Sequence, residues 1–159
     1  MLLWRIVVLA ALLVLTAGRC AAAAVNLSGT WRLNVKKSTW SGLRRPELVI
    51  LQIDHREPVL KFSGTVEHPN EESRYFAFDG MIDGKEYPAQ RSYGAGSVTF
   101  KRVNDQTILS TFRSADGQCV EVTEIVAAPG ATTLRQHIRL TTPAGKREWT
   151  EVYERRSVP

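Results

Sequence analysis

The chain has 159 residues, 43% hydrophobic and 23% charged, a balance that suits one globular domain and excludes both a disordered chain and a polytopic membrane protein. Lys and Arg number 21 against 16 Asp and Glu; Arg5 and Arg19 lie in a segment read below as removed, which leaves 19 against 16 and a net charge of +3. These charges are scattered, so the clustered basic face of a nucleic-acid-binding surface is not indicated.

Met1 to Arg5 is a short cationic start, Ile6 to Ala17 an apolar run, and Ala21 to Ala24 a stretch of small residues offering A-x-A cleavage sites. As a helix the apolar run would be about 18 Å long, short of a ~30 Å hydrocarbon core, so no membrane span is expected. Together these parts predict a secretory signal peptide over 1–24, cleaved after Ala24, and a mature domain over 25–159 that is secreted or periplasmic. The alternative is an N-terminal core helix. Ala17-Gly18-Arg19-Cys20 half fits a lipoprotein signal, but Arg19 stands where a small residue is usual, so a lipid anchor at Cys20 ranks behind simple cleavage. Without Cys20 the only thiol is Cys119, expected as a buried structural cysteine, and no internal disulfide can form.

From Asn26 onward β-rich runs alternate with turn residues, predicting strands at about 28–36, 47–54, 58–67, 72–79, 85–92, 96–103, 106–114, 118–127, 132–141 and 146–155. The punctuation includes Glu57-Pro58, Asp83-Gly84, Asn104-Asp105, Asp116-Gly117 and Pro143-Ala144-Gly145, residues that fix φ or tolerate positive φ. No window after the signal carries a helical apolar period of useful length. Connections this short demand antiparallel neighbours. The fold class is therefore all-β: an antiparallel up-and-down meander of about ten strands, closed or nearly closed into a barrel.

The last hairpin is the most informative stretch. With its turn on Pro143-Ala144, Leu140 faces Arg147, Ile138 faces Trp149, Gln136 faces Glu151 and Leu134 faces Tyr153, while Arg139 faces Glu148 on the other side. Charges then sort to one face and apolar bulk to the other, an order that a one-residue slip destroys. Glu151 is the anomaly, a carboxylate on the apolar face between Trp149 and Tyr153. Such a group needs hydrogen bonds or water, and Gln136 is placed to donate. Either a water-containing cavity or an open rim would accommodate it.

Leu27-Ser28-Gly29-Thr30-Trp31-Arg32-Leu33 carries a Gly-x-Trp on the first strand and resembles the opening motif of the calycin superfamily, the lipocalins and fatty-acid-binding proteins. Glu151-Val152-Tyr153-Glu154-Arg155 resembles the Arg-Val-Tyr-Glu-Arg that closes many fatty-acid-binding barrels, and Phe78-Asp79-Gly80 to Lys85 is loosely similar to their central stretch. Small exported lipocalin-like domains of bacteria are similar as well. The resemblance implies a lipocalin-like barrel in which the first and last strands meet, with Gly29, Trp31 and Arg155 at the closure and Arg155 against the Trp31 indole. It departs from the family in two places. The interval Lys37 to Pro46 is too short for the helical lid, and its Trp40, Arg44 and Arg45 are expected to be exposed. Glu151 also stands where the family has the Arg that clamps a carboxylate, whereas Tyr153 matches the family's Tyr. A neutral or cationic ligand, or none, fits better than a fatty acid.

His55, His68 and His137 lack ligand spacing, with His137 expected on the solvated face, and Asp79, Asp83 and Glu86 fit a turn better than a calcium loop, so no metal or cofactor is expected. No nucleophile elbow, P-loop or dinucleotide fingerprint occurs, and no catalytic residue is assigned. Pairing Glu151 with Glu121 for acid–base work would require an assumed register. The expectation is a non-enzymatic barrel binding a small apolar or amphipathic ligand against Trp149, Leu134, Ile138 and Leu140, with Tyr153, Glu151 and Gln136 as polar handle. The alternative is a protein–protein or inhibitor module of the cell envelope with a filled barrel, anchored by Trp40 and Arg44.

Overall fold

The computed structural model describes residues 24–156; the predicted signal peptide except Ala24, and Cys20 with it, lies outside the described residues. The chain forms ten antiparallel strands: β1 Gly29–Leu33, β2 Leu48–Arg56, β3 Val59–Glu67, β4 Arg74–Met81, β5 Tyr87–Arg91, β6 Gly94–Asn104, β7 Thr107–Ser114, β8 Val120–Ala127, β9 Thr133–Thr142 and β10 Gly145–Arg155. A short 3₁₀ turn, Pro129–Ala131, joins β8 to β9. All ten belong to one sheet in the order β4-β3-β2-β1-β10-β9-β8-β7-β6-β5, so pairing of β1 with β10 rolls the meander up and leaves β4 and β5 as its two edges. Those edges are consecutive in the chain, and the Tyr87 ring meets the Phe78 ring edge-on across them at 5.8 Å. The result is a nearly closed antiparallel barrel.

Every predicted strand is present, with shifted ends. β1 stops at Leu33 rather than 36, because the Asn34 side chain accepts the Lys37 N–H at 3.1 Å and turns the chain out of the ladder. The last hairpin has the register read from its charge sorting, with Ile138 opposite Trp149 and Gln136 opposite Glu151. Gly64 on β3 makes room for an aromatic neighbour. A Cβ there would lie 2.4 Å from the Phe76 ring, so only glycine leaves that ring its place.

One end of the barrel is plugged. Trp31, Phe100, Ile108 and Leu134 are each less than 2% exposed, and Phe78 meets Phe100 and Phe62 at 4.7 and 5.3 Å; Val98 and Phe112 are as fully buried farther along, where Phe112 lies opposite Glu121. The segment before β1 closes this end: the Leu27 N–H donates to His55 Nδ1 (3.1 Å), the Trp31 indole N–H to the Leu27 carbonyl (2.9 Å), and Arg155 to the Asn26 carbonyl (3.0 Å). Because Nδ1 of His55 accepts the Leu27 hydrogen bond, the ring proton sits on Nε2, which donates to Glu57 at 2.7 Å. Glu57 also takes Arg102 at 2.6 Å. Trp31 pairs with Arg155 in the β1–β10 ladder, and the guanidinium lies 4.8 Å from the indole centroid.

The side-chain alternation makes the interior two-sided. β3 to β6 send in Phe62, Phe78, Tyr87 and Phe100. β7 to β10 send in a mixed wall, in which Ser110, Thr123, Glu121, Gln136 and Glu151 alternate with apolar residues: Ser110 faces Thr123, Phe112 faces Glu121, and Ile108 faces Ile125, which faces Gln136. β8 is inverted relative to a simple apolar-in pattern: Val120, Val122 and Val126 take the outer face.

Candidate functional site

Glu151 sits on the inward face of β10, and its strand neighbours two residues either way share that face. The Trp149 indole N–H donates to its Oε1 at 2.9 Å and the Tyr153 hydroxyl to its Oε2 at 2.6 Å. Both donors therefore come from its own strand, not from Gln136 opposite. Burial drives the Glu151 carboxyl above its ordinary range, these two hydrogen bonds pull it back in part, and the charge of Glu121 adds to the rise. Burial beside that carboxylate likewise holds the Tyr153 hydroxyl well above its usual value. Among the described residues the ion pairs do not include Glu151.

A second carboxylate faces inward from β8. Glu121 accepts the Tyr93 hydroxyl, and the Arg91 Nε lies 3.5 Å from its Oε1, with only 14% of the Glu121 side chain exposed. Arg91 in turn stacks over Phe112 at 5.2 Å, and burial pushes the Tyr93 hydroxyl far up. Sequence reasoning names Glu121 without placing it and misses Tyr93 and Arg91. The signal that finds them is the β8–β9 register, which sets Glu121 opposite Leu140.

Of the predicted contact residues, Trp149, Glu151 and Tyr153 are joined by hydrogen bonds, and Gln136, Ile138 and Leu140 share the inward face of β9 beside them. Leu134 is 1% exposed and belongs to the plug at the closed end. Gly29, with φ at +136°, begins β1 and lets the Arg155 guanidinium lie within 3.8 Å of where a Cβ would stand.

The connection from β1 to β2 crosses the open end without a helix. Thr39 pairs with Thr150 of β10, and Arg44 reaches the β3–β4 turn, bonding Glu71 and, at 2.8 Å, the Pro69 carbonyl. One expected anchor is thus corrected, while Arg44 is exposed as expected. Trp40 is half-buried against the core rather than exposed, because the Thr39–Thr150 bridge turns it inward, and Arg44 is held by Glu71. The Trp40 Nε1 is buried with no hydrogen-bond partner. Cys119 is also half-buried rather than buried, since it lies in the short β7–β8 turn.

His137 faces outward with Nε2 2.9 Å from Glu148. Asp79 pairs with Lys61 at 2.8 Å and Asp83 accepts the Lys85 N–H at 3.0 Å. Among the described residues no three His, Cys, Asp or Glu side chains converge as metal ligands, and no helix is long and apolar enough to cross a membrane. Depressions of about 580 and 300 Å³ mark the outer wall beside Thr30, Gln52 and Lys61, and beside Val126, Arg135 and Val152.

No protein-family model matches the chain, and no curated protein matches it in sequence. Solved structures do match in shape. A Schistosoma mansoni fatty acid binding protein in complex with arachidonic acid superposes with a TM-score of 0.55 at 11% identity, over 86% of this chain and 100% of that one. A secretory abundant heat soluble protein from Ramazzottius varieornatus gives 0.55 at 10% identity, over 81% and 94%. As-p18, an extracellular fatty acid binding protein, gives 0.53 at 11%, over 82% and 96%. At such identities the likeness concerns the fold alone, and the fold it shows is that of the fatty-acid-binding-protein-like barrels.

Proposed function

We propose that this protein is an exported, non-enzymatic barrel that holds a small amphipathic molecule at its open end. The observation that carries this reading is the two-sided interior, with aromatic rings from β3 to β6 facing a wall on β7 to β10 that sets polar groups, Glu121, Gln136 and Glu151 among them, between apolar ones. An apolar body would rest against the rings and against Ile138, Leu140 and Trp149, and its polar end against Glu151, Tyr153 and Gln136. Binding of fatty acids by similarly shaped barrels supports a lipid-like body. The alternative of a filled interaction module draws on the packed closed end and on exposed Arg44 but loses its aromatic anchor, since Trp40 packs against the core.

The test is native mass spectrometry of protein exported from its host and purified without detergent, followed by titration with N-phenylnaphthylamine. A retained adduct and a fluorescence rise are expected, both weakened in Tyr153→Phe with Glu151→Gln while the circular dichroism stays unchanged. Bare protein that leaves the fluorophore dark would sink the carrier reading. N-terminal sequencing of the same sample should begin at Val25; a lipidated Cys20 would replace that part of the proposal.

A further inference from the structure

The polar end of the ligand has a sign. Glu151 is an inward-facing carboxylate whose only hydrogen-bond partners are neutral, the Trp149 N–H and the Tyr153 O–H, one on each oxygen. A carboxylate has about four acceptor positions, so half of its capacity is unused. Charges withdrawn from water are ordinarily paired, and an unpaired one is costly. Glu121 is the second inward acid, and Arg91 at 3.5 Å is its ion-pair partner. Two carboxylates with one cation leave this wall short of a positive charge. Other cations stand elsewhere. Arg74 is exposed and bonded to Glu71, and Arg147 is exposed, about 13 Å up the strand from Glu151 at ~3.3 Å per residue.

A second observation shows the same region to be incomplete. The Trp40 indole N–H is shut from solvent and bonded to nothing, one residue beyond Thr39, which pairs with Thr150, the neighbour of Glu151. A buried indole donor ordinarily finds an acceptor. The site thus has an acid lacking a cation and a donor lacking an acceptor.

We infer, on the footing that the barrel binds an amphipath at all, that the ligand is an amphipathic cation: an amine or quaternary ammonium, with an oxygen near the nitrogen, received by Glu151 and the adjoining indoles. The ammonium takes the free acceptor capacity of Glu151. Electron-rich indole faces of Trp149 and Trp40 add cation–π attraction, and the ligand oxygen accepts from Trp40. Carboxylate head groups are repelled by the same pair of acids. The preference is the reverse of the one that an arginine at position 151 would create. It also agrees with the raised Glu151 carboxyl, which a bound ammonium would lower again.

The experiment compares head groups on one chain length, with calorimetric titration of the exported protein against N-dodecylethanolamine, dodecyltrimethylammonium, dodecanol and laurate, all below their micellar concentrations. The two cations are expected to bind about tenfold or more tighter than dodecanol, and laurate weakest, with the ethanolamine tightest of all. Glu151→Gln should abolish the preference for cations, bringing both of them to within about twofold of dodecanol. If dodecanol or laurate binds as well as the amines, the cation assignment is overturned and the carrier reading survives. If none binds, both fall. The comparison on the unaltered chain decides the matter even where Glu151→Gln does not fold, and Glu121→Gln, expected to weaken the same preference, provides the second variant.

Discussion

Trp31 joins three elements at the closed end, and its removal should cost more than any other single truncation there. The side chain is 0% exposed, its N–H holds the Leu27 carbonyl at 2.9 Å, and Arg155 lies 4.8 Å above its ring. Truncating a buried Trp to Ala costs about 3–5 kcal/mol. The orphaned carbonyl adds roughly 1 kcal/mol, and the lost cation–π contact ~0.5–2 kcal/mol. These overlap, because leaving the cavity already removes the ring that Arg155 covers, so Trp31→Ala should lose about 4–6 kcal/mol. For a domain of this size 1 kcal/mol shifts Tm by roughly 3–4 °C, which gives a fall of about 12–24 °C read by circular dichroism, with the free energy itself read by urea titration. Trp31→Phe keeps most of the buried ring and forfeits the N–H bond, so it should lose only about 1–2 kcal/mol. A double-mutant cycle with Arg155→Met isolates the stacking, expected as a coupling of ~0.5–2 kcal/mol. A loss below about 1 kcal/mol in Trp31→Ala would refute the closure role outright.

Glu151 makes stability depend on pH with a particular sign. Its folded carboxyl titrates above the ordinary 4.5, so the native chain holds a proton that the unfolded chain releases, and stability falls as pH rises from about that value through the raised one. Burial would also raise Glu57, but hydrogen bonds from Arg102 and His55 outweigh it and hold that carboxyl low, giving the opposite slope at acid pH. The difference between Glu151→Gln and the unaltered chain isolates Glu151: the variant should gain Tm relative to wild type as pH climbs from 4 to 8 (about the usual span of such scans), and a constant difference would contradict the burial argument. Gly64→Val should lose about 1–3 kcal/mol in urea unfolding, since its Cβ would meet the Phe76 ring at 2.4 Å and the Ile50 carbonyl at 2.8 Å; a neutral effect would mean that the ring moves aside freely.

Much of this barrel can be read from the residues because its turns are marked chemically. Asp83-Gly84 and Asp116-Gly117 sit between strands and Gly145 opens β10, each glycine with positive φ, so turn residues locate the connections. The last hairpin is legible to the residue, since Arg139 opposite Glu148 and Ile138 opposite Trp149 are separable only in one register. β8 is the contrary case. Its valines face outward and Glu121 and Thr123 inward, so local alternation points the wrong way, and only the ladders to β7 and β9 correct it. Trp40 escapes a sequence reading for a related reason: the bridge from Thr39 to Thr150 spans most of the chain and leaves no local trace.

The division between a dry end and a polar wall has a physical logic. Packing at the closed end, where Trp31, Ile108 and Leu134 are all 1% exposed or less, supplies much of the apolar burial that holds the barrel together. The strands that leave this plug carry their side chains onward at period two, so their far halves face inward without having to contribute to the core. Glu151 exploits that freedom: it lies two residues out from Tyr153, which is 3% exposed, and two residues short of half-buried Trp149 toward the mouth. A carboxylate placed two positions lower, at Tyr153, would be shut in the plug and would weaken the fold; two positions higher it would be a solvated rim charge with no selectivity. At 151 it is dry enough to discriminate between head groups and close enough to the mouth to be reached by one. Shared shape with fatty-acid-binding barrels therefore does not imply a shared ligand: on the reading proposed above, the head group would be selected by Glu151 and its neighbours on β10 rather than by the barrel.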